Sequence, residues 1–188
     1  AWYALFDRVK AESKATVELL HELGVQVVMM TGDHQAAAQT IANDLGIDQV
    51  QANCLPDDKA RLVADYKAQG YCVAMVGDGI NDAPVLALSD VGFAMGNMGA
   101  DMAVETADVI IQTDEPAKVV EAIAIGRRTR RIVLQNIVFA IGVKVLVMVL
   151  GVLGVATLWE AVFADSGVAL LAVMNSIRPL HRPRFEEK

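Results

Sequence analysis

Residues 71–84 read YCVAMVGDGINDAP, and this stretch decides the fold. Its first six residues form a short apolar, β-branched run, which predicts a buried strand. Gly77-Asp78-Gly79 follows at once, then Ile80-Asn81-Asp82-Ala83-Pro84 at the head of a predicted helix over 82–88. Similar runs lie at 25–30 (VQVVMM), 91–95 (VGFAM) and 108–112 (DVIIQ), and Val50 starts one more short edge strand. Between them, 10–22, 34–45 and 57–69 carry helical spacing. Apolar strands alternating with helices predict a parallel α/β sheet.

From Ile132 the pattern changes. The run from 132 to 158 contains one charge, Lys144, and the stretch 161–177 also contains one, Asp165. About 20 apolar residues cross a hydrocarbon core of ~30 Å, so both read as membrane spans, at about 132–155 and 160–177. Buried globular helices are the other reading. Arg127, Arg128, Arg130 and Arg131 precede the first span, and Arg178, Arg182 and Arg184 follow the second. The connection near Trp159 carries no Lys or Arg, so the positive-inside rule gives a hairpin with both ends cytoplasmic. Pro116 suits the first turn of a helix running through the arginines.

Composition agrees with two kinds of segment. The 188 residues are 54% hydrophobic and 21% charged, with net charge −7, and mean hydropathy is +0.39. Residues 1–126 hold seven Lys and Arg against nineteen Asp and Glu, whereas 127–188 hold nine against four. An acidic first part excludes a nucleic-acid partner, which needs a basic face. Cys54 and Cys72 lie outside any C-x-x-C and read as reduced thiols rather than a disulfide framework. No signal peptide precedes the fold, and the start at Ala1 suggests a fragment.

Three motifs follow successive predicted strands. Asp78 and Asp82 are four positions apart at a strand's carboxyl end, where open parallel sheets bind ligands, and hard carboxylate oxygens suit Mg²⁺. Alternatively, Asp82 simply caps the next helix. Thr31-Gly32-Asp33 offers a hydroxyl and free N–H groups to a phosphate, or else Asp33 is an N-cap. Lys59, in Pro56-Asp57-Asp58-Lys59, reaches a phosphoryl oxygen as a point charge, or is a solvated surface lysine.

In the apolar half, a charge near mid-bilayer costs ~2.5–3.5 kcal/mol, which makes Lys144 and Asp165 candidate functional residues. Each is thirteen residues from its flanking arginine, so in an antiparallel hairpin they share one depth, and pairing reduces the cost of each. The pair fixes helix register, or Asp165 is an ion ligand with Lys144 as its counter-charge.

Thr-Gly-Asp, Pro-x-x-Lys, Gly-Asp-Gly-Ile-Asn-Asp-Ala-Pro and two apolar spans, in this order, resemble the C-terminal part of a P-type ATPase of the heavy-metal branch. The resemblance implies a haloacid-dehalogenase-like phosphorylation domain over 1–126 and the last two transmembrane helices, with a short cytoplasmic tail, over 127–188. It implies that Thr31, Gly32, Asp33, Lys59 and Asn81 serve phosphoryl transfer, that Asp78 and Asp82 bind Mg²⁺, and that the nucleotide, ATP, sits mostly outside this chain. Gly142-Val143-Lys144 and Asp165-Ser166-Gly167 resemble the Zn²⁺/Cd²⁺/Pb²⁺ exporters of the plasma membrane, with Met148 and Met174 as packing or lipid-facing residues. The phosphorylated Asp of a D-K-T-G-T sequence, which lies on the central strand in such pumps, is not in these residues. The chain is therefore expected to be inactive alone and to need the missing N-terminal part of the pump. A non-catalytic, membrane-anchored module that binds Mg²⁺ or complements another polypeptide is the alternative.

Overall fold

The computed structural model describes residues 11–77, 82–95, 105–113, 115–155 and 158–178. Eleven elements follow in the order α1 (Ala11–Glu22), β1 (Val28–Met30), α2 (Gln35–Leu45), β2 (Gln49–Gln51), α3 (Pro56–Ala68), β3 (Ala74–Gly77), α4 (Ala83–Leu88), β4 (Val91–Met95), β5 (Val109–Ile111), α5 (Ala117–Val152) and α6 (Leu158–Ser176). Two compact units result, Ala1–Glu121 and Ala122–Lys188.

All strand pairing in the first unit is parallel, and it falls into two sheets, β1-β2 and β3-β4-β5. Among the described residues, β1 and β3 therefore have a hydrogen-bonded neighbour on one side only. That explains a departure from the predicted buried strands: β1 is half-buried throughout and Val76 on β3 is exposed. The core is nonetheless continuous, with Val63, Met75, Val85, Leu86 and Ala94 at its centre and Met30 packed against them.

One device recurs at the amino ends of these strands. Asp48, just before β2, accepts a hydrogen bond from the Val27 N–H at 2.8 Å. Asp90, before β4, accepts one from the Val73 N–H at 2.8 Å, and Asp108, before β5, one from the Gly92 N–H at 2.9 Å. Each carboxylate thus satisfies a backbone donor of the adjacent strand or of its lead-in residue. These bonds also explain why β1 and β3 begin three residues later than the apolar runs predict. Val25 N–H and Tyr71 N–H close the preceding helix caps on Leu20 and Tyr66, and Val27 and Val73 serve Asp48 and Asp90.

From Ile132 onward the buried and half-buried positions of α5 recur at helical spacing: Ile132, Asn136, Ala140, Val143, Val147 and Leu150. On α6 they are Ala161, Ala164, Gly167, Val168, Ala172 and Asn175. Small residues recur on that stripe, at Ala161, Ala164, Gly167 and Ala172. The remaining faces expose large apolar side chains such as Leu134, Val138, Leu146, Phe163 and Leu170. Among the described residues α5 alone is long and apolar enough to cross a membrane, and only 6% of its most apolar window is buried, unlike a soluble core helix. It runs unbroken from Ala117, one residue after Pro116. It also ends sooner than the apolar run predicts, at Val152, because Gly154 takes φ +73°. There Gly154 N–H bonds Gly151 O and Val155 N–H bonds Leu150 O, closing the helix terminus.

The strand-end carboxylates make the first unit acid-sensitive. Val27 N–H, helped by His21, holds Asp48 below the ordinary 3.8, and Val73 N–H, helped by Lys67, does the same for Asp90. A depressed folded value gives stability that is complete above pH 3.8 and lost as pH falls through the folded pKa. The detergent-solubilised chain is thus expected to lose near-ultraviolet circular dichroism below pH 3.8, and the double variant Asp48→Asn/Asp90→Asn to show a shallower acid limb from a lower plateau.

Candidate functional site

Thr31, Gly32 and Asp33 follow the carboxyl end of β1, Lys59 lies in the first turn of α3 and Asp82 heads α4. Thr31 follows β1 directly. Its Oγ1 donates to Asp33 Oδ2 at 2.9 Å and accepts from the Asp33 N–H at 3.1 Å, closing a tight turn around Gly32. The Thr31 carbonyl accepts from Cys54 N–H and the Asp33 carbonyl from Asn53 N–H, which ties this turn to the segment after β2. Asp33 does not cap α2: the residue at the N-cap position is His34, and no side chain closes that cap. The Asp33 carboxylate instead holds the Thr31 hydroxyl.

Lys59 and Asp82 meet. Lys59 Nζ donates to Asp82 Oδ1 at 2.8 Å, and the side chains are only 21% and 14% exposed. Two elements set this contact. The Asp58 carboxylate accepts the Leu55 N–H at 3.1 Å, fixing the first turn of α3 so that Lys59 follows inward. Asp82 sits at the N-cap position of α4 but makes no capping bond, so its carboxylate is committed to Lys59. Lys59 is therefore not the solvated surface lysine its local sequence allows.

Gly77, expected in the turn after the strand, instead ends β3 and borders Asp82. A Cβ there would stand 2.8 Å from Asp82 Cβ and 3.0 Å from Asp82 Oδ2. The signal was present in the Gly-Asp-Gly spelling, but only the folded chain shows which side chain fills the space. Asp78 and Asn81 lie outside the described residues. Among the described residues no three of His, Cys, Asp and Glu converge as a metal centre. Once released by Lys59, the Asp82 carboxylate would offer hard oxygens of the kind Mg²⁺ takes alongside water and phosphate.

In the second unit Lys144 Nζ lies 3.0 Å from Asp165 Oδ1. Both residues stand one position off the half-buried stripe, beside Val143 and Ala164, and are 65% and 66% exposed. They border an open cleft of about 300 Å³ lined also by Val147, Met148, Ala161 and Val168. The two thiols take no part in either site: Cys54 is half-buried and Cys72 exposed, both unbridged.

Known proteins carry the same layout. The haloacid dehalogenase-like hydrolase family matches residues 2–90. The zinc-transporting ATPase of Synechocystis sp. is 50% identical over 178 residues, which is 92% of this chain and 24% of that protein. The cadmium, zinc and cobalt-transporting ATPase of Bacillus subtilis is 49% identical, over 92% of this chain and 25% of its own length. A crystal structure of a zinc-transporting PIB-type ATPase in the E2.Pi state superposes with TM-score 0.87 at 39% identity, covering 93% of this chain and 28% of that one.

Over more than nine-tenths of its length the chain is therefore similar to a segment of zinc- and cadmium-transporting ATPases. It spans about a quarter of the length of the curated relatives it matches. The haloacid-dehalogenase-like match takes in β1 to β3, and α5 is the helix long and apolar enough to cross a membrane among the described residues.

The geometry at Gly77 yields a direct test. Gly77→Ala places a methyl carbon against Asp82, and separating Lys59 from Asp82 leaves two mostly buried charges poorly paired. A loss of about 1–3 kcal/mol in unfolding free energy is expected from overpacking alone. Chemical denaturation followed by circular dichroism measures it, with Gly32→Ala as the control, since a Cβ there meets only Cys54 O at 3.7 Å.

Proposed function

We propose that this chain is the C-terminal part of an ATP-driven exporter of a divalent heavy-metal cation, Zn²⁺, Cd²⁺ or Pb²⁺, working through a phosphoenzyme. The observation that carries the ion reading is the Lys144–Asp165 contact at 3.0 Å on helices whose outer faces are apolar. A carboxylate suits a borderline divalent ion better than Cu⁺, which prefers thiolate and thioether. Lys144 keeps the Asp165 carboxylate neutralised in hydrocarbon. An arriving M²⁺ displaces the ammonium, and the ammonium, returning, helps expel the metal.

The orientation follows the arginines. Arg127, Arg128, Arg130 and Arg131 at one end, with Arg178, Arg182 and Arg184 at the other, support two spans with both ends cytoplasmic in the plasma membrane. The domain division is 1–126 for phosphoryl chemistry and 127–188 for the membrane.

In the phosphoryl half, Thr31 and Gly32 hold the transferred group, Asp33 orients the Thr31 hydroxyl, and Lys59 neutralises a phosphoryl oxygen. Lys59 lets go of Asp82 to do so, which frees that carboxylate in the same motion. Asp78 and Asp82, organised by Asn81, are the residues that would hold Mg²⁺, and the ion when bound supplies neutralisation of the developing phosphoryl charge. ATP binds mostly through residues beyond this chain. The one-sided pairing of β1 and β3 supports a nucleophile-bearing strand supplied from elsewhere in the pump. The same observation favours the second reading, a module that complements another polypeptide.

Grafting this chain into the Bacillus subtilis relative in place of its matching quarter gives a testable pump. Asp165→Ala is expected to reduce Zn²⁺-stimulated ATP hydrolysis by roughly tenfold or more, and Asp78→Ala to abolish turnover. Unchanged Zn²⁺ stimulation in Asp165→Ala would overturn the ligand role. The isolated chain is expected to form no acid-stable phosphoprotein with labelled ATP, and a clear band would overturn the inactivity.

A further inference from the structure

We infer that Asn136, with Asn175 and Ser176, is a positioning clamp that sets the one register of α5 and α6 in which Lys144 meets Asp165. The inference rests on the proposed ligand role of Asp165. Asn136 lies within an apolar run, and its carboxamide is fully used. Asn136 Oδ1 accepts from Asn175 Nδ2 at 2.7 Å, while Asn136 Nδ2 donates to Ala172 O at 3.1 Å and to Ser176 Oγ at 3.0 Å. The Ser176 hydroxyl donates in turn to Ala172 O at 2.8 Å, and Arg178 Nη1 donates to Asn175 Oδ1 at 3.2 Å.

All three partners of Asn136 lie on one turn of α6, at spacings of three and four residues. No other turn offers them. One turn toward the amino end the corresponding residues are Val168, Leu171 and Ala172, and one turn toward the carboxyl end they are Ser176, Pro179 and Leu180. A slip would strip the carboxamide of both side-chain partners, an arrangement hydrocarbon disfavours. The same slip by one turn would carry Lys144 ~5.4 Å along the axis from Asp165, and a slip by one residue would rotate it ~100° away.

Distances along the helices agree. Asn136 is eight residues from Lys144, and the clamp turn is seven to eleven residues from Asp165. At ~1.5 Å per residue the first interval is ~12 Å and the second, ~10–17 Å, brackets it. Lys144 and Asp165 stand off the packed stripe with most of their surface open, so their own packing holds them weakly. The clamp lies on the stripe, with Asn136 and Asn175 both half-buried. It fixes position; the charge pair depends on it.

The grafted pump tests this with Zn²⁺ as the probe. Asn136→Leu is expected to raise the half-saturating Zn²⁺ concentration by roughly tenfold, with the maximal rate at saturating Zn²⁺ retained. Asn136→Gln, which keeps the carboxamide, is expected to recover part of that loss. Ser176→Ala, which removes one of three bonds, gives a smaller shift and serves if Asn136→Leu fails to fold. A fall in maximal rate at unchanged half-saturation, or half-saturation within twofold of the parent in both Asn136→Leu and Ser176→Ala, would overturn the clamp. Asp165→Ala run alongside separates the two ideas: if it loses Zn²⁺ stimulation while the clamp variants behave as the parent, the ligand stands and the clamp falls. If Asp165→Ala keeps full stimulation, the ligand reading fails and the clamp fails with it.

Discussion

A parallel strand begins with backbone N–H groups that its neighbour does not always reach, and burying them unsatisfied is costly. This chain meets that constraint with an aspartate placed just before a strand, at Asp48, Asp90 and Asp108. The bonds lock adjacent strands in register at their amino ends. With that end fixed, the carboxyl ends of β1 and β3 place Thr31 and Gly77 at the candidate site. Acidic residues outnumber basic ones in this half partly because the scaffold itself spends carboxylates on backbone donors.

Both functional regions solve one electrostatic problem in the same way. On the function proposed above, a carboxylate that a cation will need later is kept neutralised beforehand. Lys59 does this for Asp82 within a mostly buried contact, and Lys144 for Asp165 on helices with apolar outer faces. An ammonium suits the task because it is a compact point charge on a flexible stem and leaves without breaking a planar, two-point contact as a guanidinium would. The two aspartates differ in how they are held. Gly77 leaves the space that Asp82 fills, whereas Asp165 stands outside the helix packing and takes its place from its helix register.

Much of this was legible in the residues. Strand β4 and helix α4 lie where the pattern puts them, because both are buried and bounded by Asp, Ser and Pro. The strands β1 and β3 start late, since Val25 and Tyr71 finish helix caps before any ladder begins. No periodicity records that commitment. The first span ends early for a related reason: Gly151, Gly154 and the apolar residues around them score as membrane sequence, while the positive φ of Gly154 ends the helix. The position of a motif residue was legible in places, as with Thr31 directly after β1. The contact partners were not. Whether Asp82 caps a helix or binds a lysine depends on where α3 packs, and Asn136 reads as a blemish in an apolar run until Asn175 stands opposite.

The glycine turn after α5 has a consequence for how the protein is made. Only five residues separate Val152 from Leu158. On the two-span reading, the second helix follows the first so closely that both leave the insertion machinery nearly together. A helix carrying a lone lysine, or a lone aspartate, enters lipid reluctantly. A tightly closed hairpin presents them as a neutral couple, so the short loop lowers the barrier to membrane entry for residues that only the finished transporter needs.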